Sequence, residues 1–229
     1  MSNLFNPDNA VFTAINKTVD TVWLGILWTV CSIPLVTIGA ASSALYYATV
    51  KCTRRSRSYV TKEFFRSFKM NFKVGTIMSV IMLLYAFVLY VDFQYARSLD
   101  ATNETMATVY FAVFAIGVAL AGVALLWMFP VLSRFTVGVG HLFKSAFTMG
   151  TKHIVRTFLL ALIAVFWAVT LWVLTSAVEL FSLLILVPFV APGVTALIRS
   201  FIIEPVLKQY LGESPGDPEE TGIDEWYRE

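Results

Sequence analysis

Five stretches, residues 21–50, 74–91, 105–133, 157–178 and 180–198, contain no Asp, Glu, Lys, Arg or His. A hydrocarbon layer about 30 Å thick is crossed by roughly 20 apolar helical residues. These runs therefore decide the solvent before they decide the fold. Only 14% of the 229 residues are charged, against about 25% in soluble domains. A water-soluble core of this length cannot hide so many apolar side chains, so lipid must cover many of them. The expectation is an all-α polytopic transmembrane helix bundle of five spans. Residues 1–210 form one membrane-embedded helical domain. Residues 211–229 form an acidic tail, broken by Ser214-Pro215-Gly216-Asp217-Pro218 and expected to be disordered.

The first run is too long for one span and too short for two. Pro34 interrupts helical hydrogen bonding, and Gly39 offers a stop. The economical reading is a span over about 19–38, followed by a small-residue segment at the inner face. The alternative is a tight hairpin in which 40–50 is a half-helix packed against protein, making six membrane segments. Asn6-Pro7-Asp8 starts an interfacial lead-in helix. Asp8 and Asp20 beside a lone Lys17, with a late apolar run, argue against a signal peptide.

Cations set the orientation. Lys51, Arg54, Arg55, Arg57, Lys62, Arg66, Lys69 and Lys73 follow the first run, and Arg134, Lys144, Lys152 and Arg156 follow the third. Both connections, and the C-terminus, are expected on the cytoplasmic side of a bacterial plasma membrane. Five spans place the N-terminus outside, and six segments place it inside.

Residues 59–73 carry the sharpest pattern. At 100° per residue, Val60, Phe64, Phe65, Phe68 and Phe72 share one arc, and Lys62, Arg66, Lys69 and Lys73 lie opposite. This predicts a basic amphipathic interfacial helix in the headgroup layer, with Phe64, Phe68, Phe72, Arg66, Lys69 and Lys73 as a partner- or lipid-contact surface. The bland alternative is a membrane anchor serving topology alone. A weaker copy follows the third run, where Phe143, Phe147, Gly150 and Ile154 share a face. Phe65-Arg66-Ser67 and Phe143-Lys144-Ser145 then read as matching triplets of a parallel internal repeat, or as chance likeness between two cytoplasmic loops.

Other chemistry finds little support. Asp92, Glu179, Arg199 and Glu204 fall near span ends, so none marks an ion path at mid-depth. Pro34, Pro130, Pro188 and Pro192 are candidate helix breaks, each equally readable as a simple kink. There is no His-Glu-x-x-His, no Gly-x-Ser-x-Gly and no Walker lysine. His141 and His153 lack an orienting partner in sequence. Cys31 and Cys52 read as reduced and structural. No enzyme activity, cofactor or metal is expected, and nucleic acid is a poorer account of the basic residues than a membrane surface.

Trp28-Thr29-Val30-Cys31-Ser32-Ile33-Pro34-Leu35-Val36-Thr37-Ile38-Gly39-Ala40, followed by Ala44-Leu45-Tyr46-Tyr47, resembles the signature of the YesL family. Phe64-Phe65-Arg66-Ser67-Phe68-Lys69-Met70-Asn71-Phe72-Lys73 is similar to its second block, and Phe129-Pro130-Val131-Leu132-Ser133-Arg134-Phe135 also fits. The resemblance implies a small bacterial polytopic membrane protein of a family without an established activity. Its members are often encoded beside carbohydrate importers of the ABC type, so importer subunits are the implied partners. The expected role is a non-enzymatic accessory to such an importer. The alternatives are a small permease, which needs a hydrophilic path between spans, and a membrane-bound sensor or scaffold.

Overall fold

Ile33 precedes Pro34, a pairing that disfavours helical backbone at the first residue and removes an N–H at the second. Helix α1 (Ala10–Ser32) stops there in the computed structural model, which describes residues 10–54, 59–100, 104–135, 137–176 and 187–211. A single 3-10 turn, Leu35–Thr37, follows. Thr37 closes the corner: its hydroxyl lies 2.6 Å from the Cys31 carbonyl and 2.7 Å from that of Pro34. The Cys31 carbonyl is one that the end of α1 leaves open, and the Pro34 carbonyl also accepts the Thr37 backbone N–H at 2.8 Å.

The chain then doubles back as α2 (Ile38–Ala48), extended by a π-helical segment, Thr49–Arg54. Trp28 donates its indole N–H to Ser42 at 3.0 Å, which pairs α2 antiparallel with α1. The first apolar run is therefore not a single span over 19–38. It is the hairpin, with a short second helix packed against protein. Nearly every side chain of α2 is buried, as its small residues allow.

Gly39 is not a helix stop. It sits in the first turn of α2, where a Cβ would lie 2.3 Å from the Gly75 carbonyl oxygen. Its N–H, one of the donors a helix start leaves unpaired, donates to Ser79 Oγ at 2.7 Å. The small residues here let two backbones approach.

Helix α3 (Val60–Asp100) is 41 residues long, about 60 Å at 1.5 Å per residue and twice the hydrocarbon thickness. The amphipathic stretch does not form a separate helix turned into the headgroup layer. No Pro or Gly interrupts residues 60–74, so the helix runs unbroken into the apolar part. Lys51 meets Glu63 at one end of α2, and Gly39 meets Gly75 at the other. The hairpin thus flanks the cation-bearing part of α3, and its tip reaches only the first turns of the charge-free section. Val30, Ile33, Leu35 and Val36 are exposed around that tip.

Helix α4 (Glu104–Arg134) returns antiparallel to α3. Phe93 meets Phe111 and Phe114, Tyr95 meets Tyr110, and Tyr85 donates to the Gly117 carbonyl. Pro130 does not break α4, which continues to Arg134. Helix α5 (Val139–Lys152) buries Leu142, Ala146, Met149 and Gly150. The expected face of Phe143, Phe147, Gly150 and Ile154 is only partly the packed one: Gly150 is buried and Phe143 lies against the core, but Phe147 is exposed and Ile154 begins the next helix. The repeat triplets are not equivalent either: Phe65-Arg66-Ser67 opens a long helix, whereas Phe143-Lys144-Ser145 lies within a short one.

Helix α6 (Ile154–Ser176) and α7 (Val187–Leu211) complete the described chain. Among the described helices, α3, α4, α6 and α7 are long and apolar enough to cross a membrane. Pro188 is the second residue of α7, where a missing N–H costs nothing. Pro192 lies inside α7. The carbonyl it deprives of an N–H partner, that of Pro188, accepts from the Thr29 hydroxyl of α1. Among the described helices, α1 ends just before Pro34, whereas Pro130 and Pro192 lie within continuous helices.

Thr157 joins three helices. It accepts from the Trp127 indole of α4 at 2.9 Å and donates to the Gly150 carbonyl of α5 at 2.8 Å. Trp127 is wholly buried. Thr157→Val leaves that indole N–H unpaired, and the expected cost is about 1–3 kcal/mol. The check is the unfolding midpoint in detergent, followed by circular dichroism. The acidic tail lies outside the described residues.

Candidate docking face and buried ionic cluster

The aromatic arc of α3 is divided by packing. Phe64 is fully buried among Leu24, Leu27, Ala44, Leu45, Ala48 and Ala196. It cannot be a contact for an outside partner. Phe68 stacks on Phe64 at 6.3 Å and lies at the margin of that cluster. Phe72 is 45% exposed. The helix turns its Phe64 side to the hairpin because Leu24 and the alanines of α2 offer an apolar wall there. That leaves Lys62, Phe65, Arg66, Lys69, Met70, Phe72 and Lys73 exposed together. The outer face mixes cations with large apolar side chains, rather than placing them on opposite sides.

Two of the cations that set the expected orientation are not on any surface. Lys51 pairs with Glu63 at 3.1 Å and donates to the Tyr47 hydroxyl at 3.4 Å, both charged side chains being less than a tenth exposed. Cys52 is buried beside this pair. Desolvation, reinforced by the Glu63 charge, pushes its thiol up to about 12, so it stays a protonated, unreactive thiol.

Arg134, the last residue of α4, forms an ion pair with Glu204 of α7, and each side chain is about 1% exposed. The Tyr46 hydroxyl donates to the same carboxylate at 3.4 Å. Adjacent tyrosines of α2 thus serve two separate ion pairs, Tyr47 toward the start of α3 and Tyr46 toward α4 and α7. Arg199 lies five residues before Glu204 on α7. It lines a cavity of about 250 Å³ with Trp28, Ser42, Tyr46, Phe129 and Thr195. Its Nε is sealed from solvent and has no hydrogen-bond partner.

His153 ends α5 between Trp127, at 6.2 Å, and Tyr210, at 6.3 Å. Burial holds its imidazole below the ordinary range, and Arg156 and Lys152 push the same way. No three His, Cys, Asp or Glu side chains converge on a metal-sized site among the described residues.

Residues 21–93 match the family described as a protein of unknown function, DUF624. The DUF624 match takes in the hairpin, the Lys51–Glu63 pair and the cation-bearing face of α3. It stops short of Arg134, Arg199 and Glu204. No curated protein and no solved structure matches the chain.

The buried pairs were the part that pattern reading missed. A signal for them does exist. Glu63 is the sole carboxylate between Lys51 and Lys73, and Glu204 the sole one between Glu179 and Glu213. A solitary carboxylate in a cationic or apolar stretch is a candidate for a buried pair.

Proposed function

We propose that this chain is a non-catalytic membrane-embedded accessory protein of a bacterial carbohydrate uptake system of the ABC type. The outer face of α3 is its docking surface, and the occupant is an acidic surface of an importer subunit. One observation carries this reading: Lys62, Arg66, Lys69 and Lys73 are exposed beside Phe65, Met70 and Phe72. They stand on a helix held rigidly by the hairpin and continuous with a candidate span. Charge complementarity then steers the encounter, and the aromatic side chains supply apolar area at the contact. The resemblance to the YesL family supports the choice of partner, and the cation bias supports a cytoplasmic placement in the plasma membrane.

Triple reversal, Lys62→Glu, Lys69→Glu and Lys73→Glu, is expected to lower co-purification with the importer in mild detergent by at least about tenfold. That corresponds to about 1.4 kcal/mol or more of lost binding. Insertion and monodispersity should be unchanged, because these side chains are exposed. Equal recovery of the importer with the wild-type and reversed proteins removes the docking role.

A further inference from the structure

We propose that the cavity at Arg199 binds a phosphate oxyanion, delivered either by a phospholipid headgroup or by free phosphate. The argument begins with charge. Arg134 and Arg199 lie beside Tyr46, and the carboxylate there, Glu204, is engaged by Arg134 and by the Tyr46 hydroxyl. Arg199 has neither an ion pair nor a hydrogen-bond partner at Nε among the described residues. A guanidinium held among apolar helices without a counter-charge is costly, and an anion in the adjoining cavity removes that cost. The guanidinium fork fits two oxygens of a phosphate at once.

A second donor faces the same space. Ser42 accepts from Trp28, which leaves its own O–H to donate. Thr195 does not add a donor, since its hydroxyl is turned to the Ala191 carbonyl.

Size and lining narrow the ligand. About 250 Å³ is below the roughly 300–1,000 Å³ of pockets that enclose a whole small molecule. It suits a single anionic group. Leu45, Phe129, Pro130, Pro192 and Ala196 form the remaining wall, an apolar surface compatible with the glycerol end of a lipid. Basic pockets between membrane helices bind phosphate headgroups in this way.

The test uses the full chain in phosphate-free maltoside micelles alone, in the same micelles with added phosphatidylglycerol, and in the same micelles with added inorganic phosphate. The expected result is a higher unfolding temperature with phosphatidylglycerol and one retained molecule of it per chain by native mass spectrometry. Arg199→Gln should lower that retention about tenfold or more, the loss of a hydrogen bond to a charged group. Arg199→Lys should fall between the two, and Lys69→Gln with Lys73→Gln on the outer face should match the wild type. Equal protection by inorganic phosphate supports the site and identifies a soluble anion as its source. No protection of the wild type by either phosphate overturns the proposal. So does retention in Arg199→Gln equal to that of the wild type. If Arg199→Gln fails to fold, the three wild-type samples still decide.

Discussion

Glu204→Ala is expected to destabilise the protein by about 3–5 kcal/mol, the range for removing one member of a buried ion pair. The side chain and its partner Arg134 are almost entirely shielded. Truncating one leaves the other guanidinium charge in the interior, beside Arg199. Tyr46 loses its acceptor in the same step. Most of the effect is the stranded charge rather than the lost attraction, and this separates two variants. Arg134→Met combined with Glu204→Leu removes both charges and should recover most of the loss, since apolar replacements of buried pairs are often neutral or better. Unfolding in mixed micelles with increasing denaturing detergent measures both. A single variant as stable as the wild type would mean that water reaches the pair.

The second large effect is expected at the crossing of α1 and α7. A Cβ on Gly25 would lie 1.9 Å from the Phe189 carbonyl oxygen, and one on Gly193 would lie 2.0 Å from that of Thr21. Those obstacles are backbone, so no rotamer change relieves them. Gly25→Ala or Gly193→Ala must push the helices apart, at a cost near the upper end of overpacking, about 3 kcal/mol. The Thr29 contact to the Pro188 carbonyl lies next to that crossing and should weaken with it. The two substitutions should be less than additive, because the first opens the gap that the second fills. Gly122→Ala is the control. A Cβ there meets nothing within 4 Å, and the exchange should stabilise the helix by about 0.5–1 kcal/mol. The readout is the unfolding midpoint of each variant in the same detergent.

What was legible in the sequence divides along physical lines. Uncharged length is a one-dimensional property, so the helical, membrane-embedded class could be read directly, although five spans were expected and the described residues hold four helices long and apolar enough to cross a membrane. The turn at Pro34 was legible because proline acts on its own backbone. Pro130 and Pro192 were misleading because a helix can continue past a missing N–H, at Pro192 with Thr29 supplying a donor to the freed carbonyl. Gly39 misled for a related reason: its lack of a side chain serves the approach of Gly75, some 36 positions away in the chain, and not its own dihedral angles. The helical periodicity of Phe64, Phe68 and Phe72 was read correctly. Which of them faced outward depended on a wall built from Leu24, Ala44 and Ala48, and periodicity carries no information about that. The ion pairs needed tertiary contacts between residues as far apart as Arg134 and Glu204.

The doubled-back opening segment changes what insertion demands of the chain. Its bend lies level with Gly75 and Ser79, and the first turns of α3 lie beside α1 at the opposite end of α2. Nothing charged therefore has to be dragged through the hydrocarbon for Val30, Ile33, Leu35 and Val36 to reach it. The apex arrives with the Cys31, Pro34 and Gly39 backbone groups already satisfied by Thr37 and Ser79, which is the condition lipid imposes on any bend it surrounds. The bend is gripped by α3 through the close approach of Gly39 to Gly75 and the hydrogen bond from the Gly39 N–H to Ser79.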